Sequence, residues 1–149
     1  MTDVIRFNSR SEGYRGALST FYPHAIVYDG RVWPTAEHAY QAAKTDSEEM
    51  KELIKDAPSP SYAKRLGATM LLRMGIYDWN EQKRNIMKDI IREKLRHYEL
   101  KSWLIHPSNA KKTIIHEAPW DPYWGNGPDG NGRNELGKIY MELREELLK

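Results

Sequence analysis

The longest helical periodicity in the chain begins near Asn80. Ile86, Met87, Ile90, Ile91, Leu95 and Tyr98 recur at three- and four-residue intervals over about five turns, so a continuous amphipathic helix capped by Asn80 is expected to be the spine of the core. Leu136, Ile139, Tyr140, Leu143 and Leu147 repeat the spacing near the C-terminus, with Asn134 as the natural cap. Shorter helices are expected over residues 47–56, stopped by Ala57-Pro58, and from Pro60 to about Thr69 with Ser59 as cap. Proline is harmless there, because the first turn needs no N–H. A further helix over residues 100–105 ends at Pro107, residues 71–75 form a connection, and 111–116 suit either a strand or a helix. Residues 4–28 look irregular apart from extended pieces at Val4–Phe7 and 25–28. Five or more helices with few strands predict a mainly α fold of the α+β class, in one domain over residues 1–149.

Ile26-Val27-Tyr28, Asp29-Gly30, Arg31-Val32-Trp33 predicts a hairpin, since Asp-Gly tolerates the positive φ values of a two-residue turn. The hairpin feeds directly into Pro34-Thr35-Ala36-Glu37-His38-Ala39-Tyr40-Gln41-Ala42-Ala43-Lys44. Pro34 keeps its predecessor extended, Thr35 is the expected cap, and a helix runs onward from Ala36. Glu37, Tyr40, Gln41 and Lys44 then share one face, while Ala36, Ala39 and Ala43 form a stripe small enough to admit another backbone. Either the polar strip faces water and the alanines the core, or the strip lines a cleft. In the first turn the helix dipole favours negative charge at Glu37, which suits it to stabilising positive charge rather than donating a proton.

With no cysteine among 149 residues, disulfides, thiolate catalysis and Cys-based zinc sites are excluded. No apolar run resembles a signal peptide or approaches a membrane span of about 20 residues, so a soluble, cytoplasmic protein without membrane partners is expected. A net charge of +2 argues against a dominant electrostatic attraction to nucleic acid. Five Trp and nine Tyr against two Phe favour rings with a polar edge, suited to half-wet clefts and base stacking as well as to core boundaries.

Before the last helix, Gly125, Gly127 and Gly130 satisfy the letters of a dinucleotide-binding fingerprint. No strand is expected to lead into them, Pro128 interrupts them, and too little chain follows, so a Rossmann site is rejected. A glycine-rich loop that exposes N–H groups and enters a helix N-terminus still suits an anion. Histidines at metal-ligand spacing are absent, and no nucleophilic Ser with a supporting triad can be argued; neither metal nor cofactor is expected.

The two stretches together, Trp33-Pro34-Thr35-Ala36-Glu37-His38 through Gln41 and Lys44, and Trp124-Gly125-Asn126-Gly127 through Gly132, Asn134, Leu136 and Gly137, strongly resemble the NADAR (YbiA-like) family. Leu18-Ser19-Thr20-Phe21, Asp29-Gly30 and Asp78-Trp79 with Lys83 and Met87 extend the likeness over most of the chain. The resemblance implies a compact, mostly helical fold and cleavage of N-glycosidic bonds, in phosphoribosylamino-pyrimidine intermediates of riboflavin synthesis or in ADP-ribosylated guanine of DNA. A ribosylated-base or ADP-ribose-containing substrate is thus the implied partner, and ADP-ribosylated DNA is one form of it. Two departures bear on substrate choice: His116 stands where the family often has a carboxylate, and Asn126 replaces the aspartate of a common Trp-Gly-Asp-Gly. Ala39 and Thr45 occupy positions where relatives often carry aromatics.

Breaking a C1′–N bond builds positive charge on the sugar, so an anion is wanted near C1′, and Glu37 is the candidate. An amine could instead trap the opened sugar as an imine, a role for Lys44 if burial loosens its proton; otherwise a surface pair with Glu48 is expected. Trp33, Tyr40, Trp79 and Trp124 are candidates to stack a base. Gln41 on the strip, with Gly125, Gly127, Arg133 and Asn134, is expected to hold the sugar or its phosphate, and Asp121 to line the site or brace it by an ion pair with Arg144. The strip and the glycine loop are expected to enclose one sugar. The alternative is a non-catalytic ADP-ribose or nucleotide-binding module that keeps the cleft without turnover.

Overall fold

The structure, a computed structural model, describes residues 3–69 and 79–149. Their order is β1 (Val4–Phe7), α1 (Gly13–Ala17), β2 (Ile26–Tyr28), β3 (Arg31–Trp33), α2 (Ala36–Ala42), α3 (Glu48–Lys55), α4 (Pro60–Thr69), α5 (Trp79–Lys94), α6 (Tyr98–Ile105), β4 (Thr113–His116) and α7 (Glu135–Leu148). The expected α+β class, dominated by helices, is what forms. Backbone contacts divide the chain into one unit of residues 1–19 and 95–149 and another of residues 20–94.

In the 20–94 unit the hairpin has the expected register, Ile26 opposite Trp33 and Tyr28 opposite Arg31. Asp29 and Gly30 both adopt positive φ, 52° and 72°, as a tight turn matching strand twist requires. Thr35 caps α2 by accepting the His38 N–H at 3.2 Å, and Ser47 and Ser59 cap α3 and α4 in the same way. The short helices α3 and α4 and the long α5 all pack on α2. Every residue of α2 from Ala36 to Ala42 is buried as a result. On α5, Met87, Ile90 and Ile91 are the fully buried stripe that the spacing predicts. Two expectations fail here. Trp79 is already helical, so Asn80 lies inside α5 rather than capping it, and α5 ends at Lys94. Tyr98 therefore opens α6 and is 76% exposed, its helical spacing being a coincidence across a break. The connection expected over residues 71–75 lies outside the described residues.

The unit built from both chain ends contains a pairing that local pattern does not reveal: β1 and β4 are parallel, with Val4 opposite Thr113 and Phe7 opposite His116. The short helix α1 was likewise not expected within the irregular N-terminal stretch. Helix α7 packs on β4 and buries Leu136, Ile139, Tyr140 and Leu143, while Leu147 in its last turn stays exposed. The phenol of Tyr140 donates to the Leu18 carbonyl at 2.7 Å, and its burial pushes its pKa far above the usual tyrosine range.

Candidate active site

The polar strip on α2 does not face bulk water. Glu37 and Gln41 are 6% and 3% exposed. One Glu37 carboxylate oxygen accepts from the Thr20 hydroxyl at 2.7 Å and the other from the Gln41 amide at 2.6 Å. Donors on both oxygens suit a carboxylate anion fixed in one orientation, and the first-turn position adds the helix dipole. The Glu37 N–H also donates to the Thr20 carbonyl at 3.0 Å, so the segment before the hairpin is tied to α2 twice. Gln41 pays its donor to Glu37, and its own carbonyl oxygen has no hydrogen-bond partner among the described residues. That oxygen lies against Gly67 of α4, where a Cβ would collide with it. Thr20 and Gly67 are the site-supporting residues that the strip's spacing misses. Neither belongs to the i, i+3, i+4 pattern, and only folding brings them to it.

His38, on the same helix, is structural. The Thr35 hydroxyl lies 2.7 Å from Nδ1, and Nε2 lies 3.1 Å from the Ala57 carbonyl. A carbonyl only accepts, so Nε2 carries the proton, and Nδ1 accepts from Thr35.

Lys44 lies past the end of α2, but its N–H still donates to the Gln41 carbonyl at 3.2 Å, which continues the turn. Its Nζ stands 5.6 Å from the ring centre of Tyr40 and 6.0 Å from that of Trp79. The two rings are 5.4 Å apart and inclined at 53°. Glu48 is not its partner: that carboxylate binds Arg31, which also reaches Glu52 at 3.1 Å. Among the described residues Lys44 makes no ion pair. Burial lowers its pKa below the usual lysine range, Glu37 opposes that shift, and Lys64 and Lys83 add to it.

Trp33 is 1% exposed and donates its indole N–H to the Tyr28 carbonyl at 2.8 Å, completing the hairpin it ends. Of the alanine stripe, Ala36 is fully buried, and Ala39 and Ala43 border a cavity.

In the other unit, residues 121–134 form a self-braced loop. Asp121 accepts from the N–H groups of Tyr123 and Trp124 at 3.0 and 2.9 Å, while Arg144 donates to the Asn109 carbonyl at 3.0 Å. The expected ion pair between them is therefore absent; each satisfies backbone groups instead. Asn126 accepts from the Ala118 N–H at 3.0 Å, and the His116 ring stacks on Phe7 with centres 4.9 Å apart, so both departures from the family pattern have packed roles. Gly125 is buried against Ala118, where a Cβ would clash, and Gly127 has φ 70°. The half-buried Trp124 meets Tyr123 edge-on at 4.7 Å. Arg133 bonds Glu135 at 3.0 Å and lies 5.0 Å from the Tyr123 ring centre.

Asn134 corrects the expectation of an ordinary cap. It sits at the N-cap position of α7 with left-handed φ 51°, and its side chain makes no cap bond. Its amide instead donates to the Ile114 carbonyl and accepts from the His116 N–H, both at 2.9 Å, acting as an extra strand residue beside β4. Gly137, one turn into α7, leaves the room that this amide fills. Among the described residues no three His, Asp or Glu side chains cluster as metal ligands would.

Comparison with known proteins gives a consistent result. The chain is 38% identical over 147 residues to N-glycosidase YbiA of Escherichia coli (strain K12), covering 97% of this chain and 88% of that one. It is 37% identical to a riboflavin biosynthesis protein of Vibrio vulnificus (strain YJ016), covering 99% of this chain and 39% of that longer protein. The NMR structure of E. coli YbiA matches with a TM-score of 0.84 at 37% identity, over 99% of this chain and 87% of that one. A profile of the NADAR domain matches residues 6–148, and the chain belongs to the NADAR domain family.

Proposed function

We propose that the protein is an N-glycosidase that hydrolyses the C1′–N bond of a ribosylated base, with Glu37 and Lys44 as its reacting-centre groups. The enzyme class rests on relatives named N-glycosidases. The observation that carries the residue assignment is a buried carboxylate held by two donors on the same helical strip as an amine whose proton burial has loosened.

As the bond to the base lengthens, positive charge develops at C1′ and O4′. A fixed carboxylate stabilises that charge without reorganising. A neutral Lys44 Nζ can add to C1′ while the C1′–N bond breaks and the departing nitrogen takes a proton. Loss of a proton from Nζ and opening of the sugar ring at O4′, which is protonated, leave an imine. Water then adds to C1′, the C1′–Nζ bond breaks, and the sugar and the free amine are restored. Tyr40 and Trp79 flank the amine with apolar faces that keep it partly dry.

Phosphoribosylamino-pyrimidines fit the riboflavin biosynthesis names of two relatives, and guanine-linked ADP-ribose is the competing substrate. Incubation with each, following sugar release by mass spectrometry, tests the proposal. Glu37→Gln is expected to lower the rate about 10²- to 10³-fold. Borohydride during turnover is expected to fix sugar to Lys44 and not to a Lys44→Ala protein. Release at the wild-type rate by Glu37→Gln removes its electrostatic role, and binding of both compounds without release identifies a binding module instead.

A further inference from the structure

The cavity beside α2 has a volume of about 340 Å³ and does not include the Glu37 carboxylate among its walls. Successive helix residues are about 100° apart, so Ala39, Ala42 and Ala43, which line it, project from the side of α2 opposite Glu37 and Gln41. We propose that this cavity is a second binding site, for one planar heteroaromatic ring of the nucleobase class.

Trp33 and Trp79 supply flat apolar walls, and the three alanines make a floor that a ring can approach without meeting a longer side chain. The edge is polar: Gln82 of α5 is half-buried, lines the cavity and has no hydrogen-bond partner among the described residues, so its amide offers both a donor and an acceptor. Asp29 and Lys51 complete the rim and neutralise each other across 3.4 Å. A rim with no net charge gives a phosphate nothing to bind, and an aliphatic chain would leave the Gln82 amide dry and unpaired. A flat ring carrying donors and acceptors along one edge satisfies both the walls and the amide. Ligand pockets usually start near about 300 Å³, so the volume admits a single base with a small substituent rather than a dinucleotide. Trp79 belongs both to this cavity and to the pair of rings flanking Lys44, so a ring stacked here would be sensed at the amine.

The test is direct binding, independent of whether the protein cleaves anything. The full chain is titrated with uracil, guanine and adenine, and with ribose 5-phosphate as a probe lacking a base, following tryptophan fluorescence and heat. At least one base is expected to saturate the protein and ribose 5-phosphate to leave the cavity empty. Gln82→Leu is expected to weaken that binding about tenfold or more. Ala42→Leu, which fills the floor, is expected to abolish it; should that variant fail to fold, the Gln82→Leu titration decides. No saturation by any base overturns the proposal. So does saturation that Gln82→Leu leaves unchanged, or saturation that Glu37→Gln removes while Gln82→Leu retains it.

Discussion

At Gln41 one side chain joins a legible feature to an illegible one. Its spacing from Glu37 places the two side chains within reach on one helix turn, and the 2.6 Å bond between them follows. Its other end rests on Gly67, which has no side chain to announce itself. Gly67→Ala is therefore expected to destabilise the fold by about 1–3 kcal/mol, the usual cost of forcing a methyl into a packed contact, read from a urea midpoint. Thr20→Val should cost a similar amount, about 1–3 kcal/mol, because it leaves a buried Glu37 oxygen without its donor. A wild-type urea midpoint in either variant would show that the carboxylate's setting is not held from these two sides.

Among the elements, α2 and α7 carry the same cap signal and spend it differently. At α2 the Thr35 hydroxyl serves both the His38 N–H and the His38 ring, so Thr35→Ala should lose about 1–2 kcal/mol, with faster amide exchange in the first turn. At α7 the N–H groups of Glu135 and Leu136 already donate to the Tyr123 and Trp124 carbonyls, so the cap bond is not needed and the Asn134 side chain serves β4 instead. Asn134→Gly keeps the left-handed backbone but removes both side-chain bonds. It is expected to speed exchange of the His116 amide while α7 itself stays folded; unchanged exchange at His116 would contradict the strand-like role.

For the molecule as a whole, stability is linked to pH through Lys94, which is fully buried with its Nζ 5.9 Å from the Tyr22 ring centre. Burial lowers its pKa from the ordinary 10.5 to about 7. Between those values the unfolded chain binds the proton and the folded chain does not, so stability rises with pH from about 7 upward, and the full penalty applies below. Urea unfolding at about pH 7 and about pH 9.5 is expected to show the wild type gaining a few kcal/mol relative to Lys94→Met. A difference that stays constant with pH would refute the linkage. Among the described residues no helix is long and apolar enough to cross a membrane.

The order of residues by itself determined the hairpin, the caps at Thr35 and Ser59, the buried stripes of α5 and α7 and the polar strip on α2. Each depends on groups within a few positions of one another, where backbone geometry fixes the neighbours. Only the tertiary structure decided that β1 pairs with β4, that Thr20 and Gly67 hold the Glu37–Gln41 pair, that Asn134 serves a strand, and that the alanines border a cavity. Those outcomes depend on which distant surfaces meet, and nothing in local spacing records that choice.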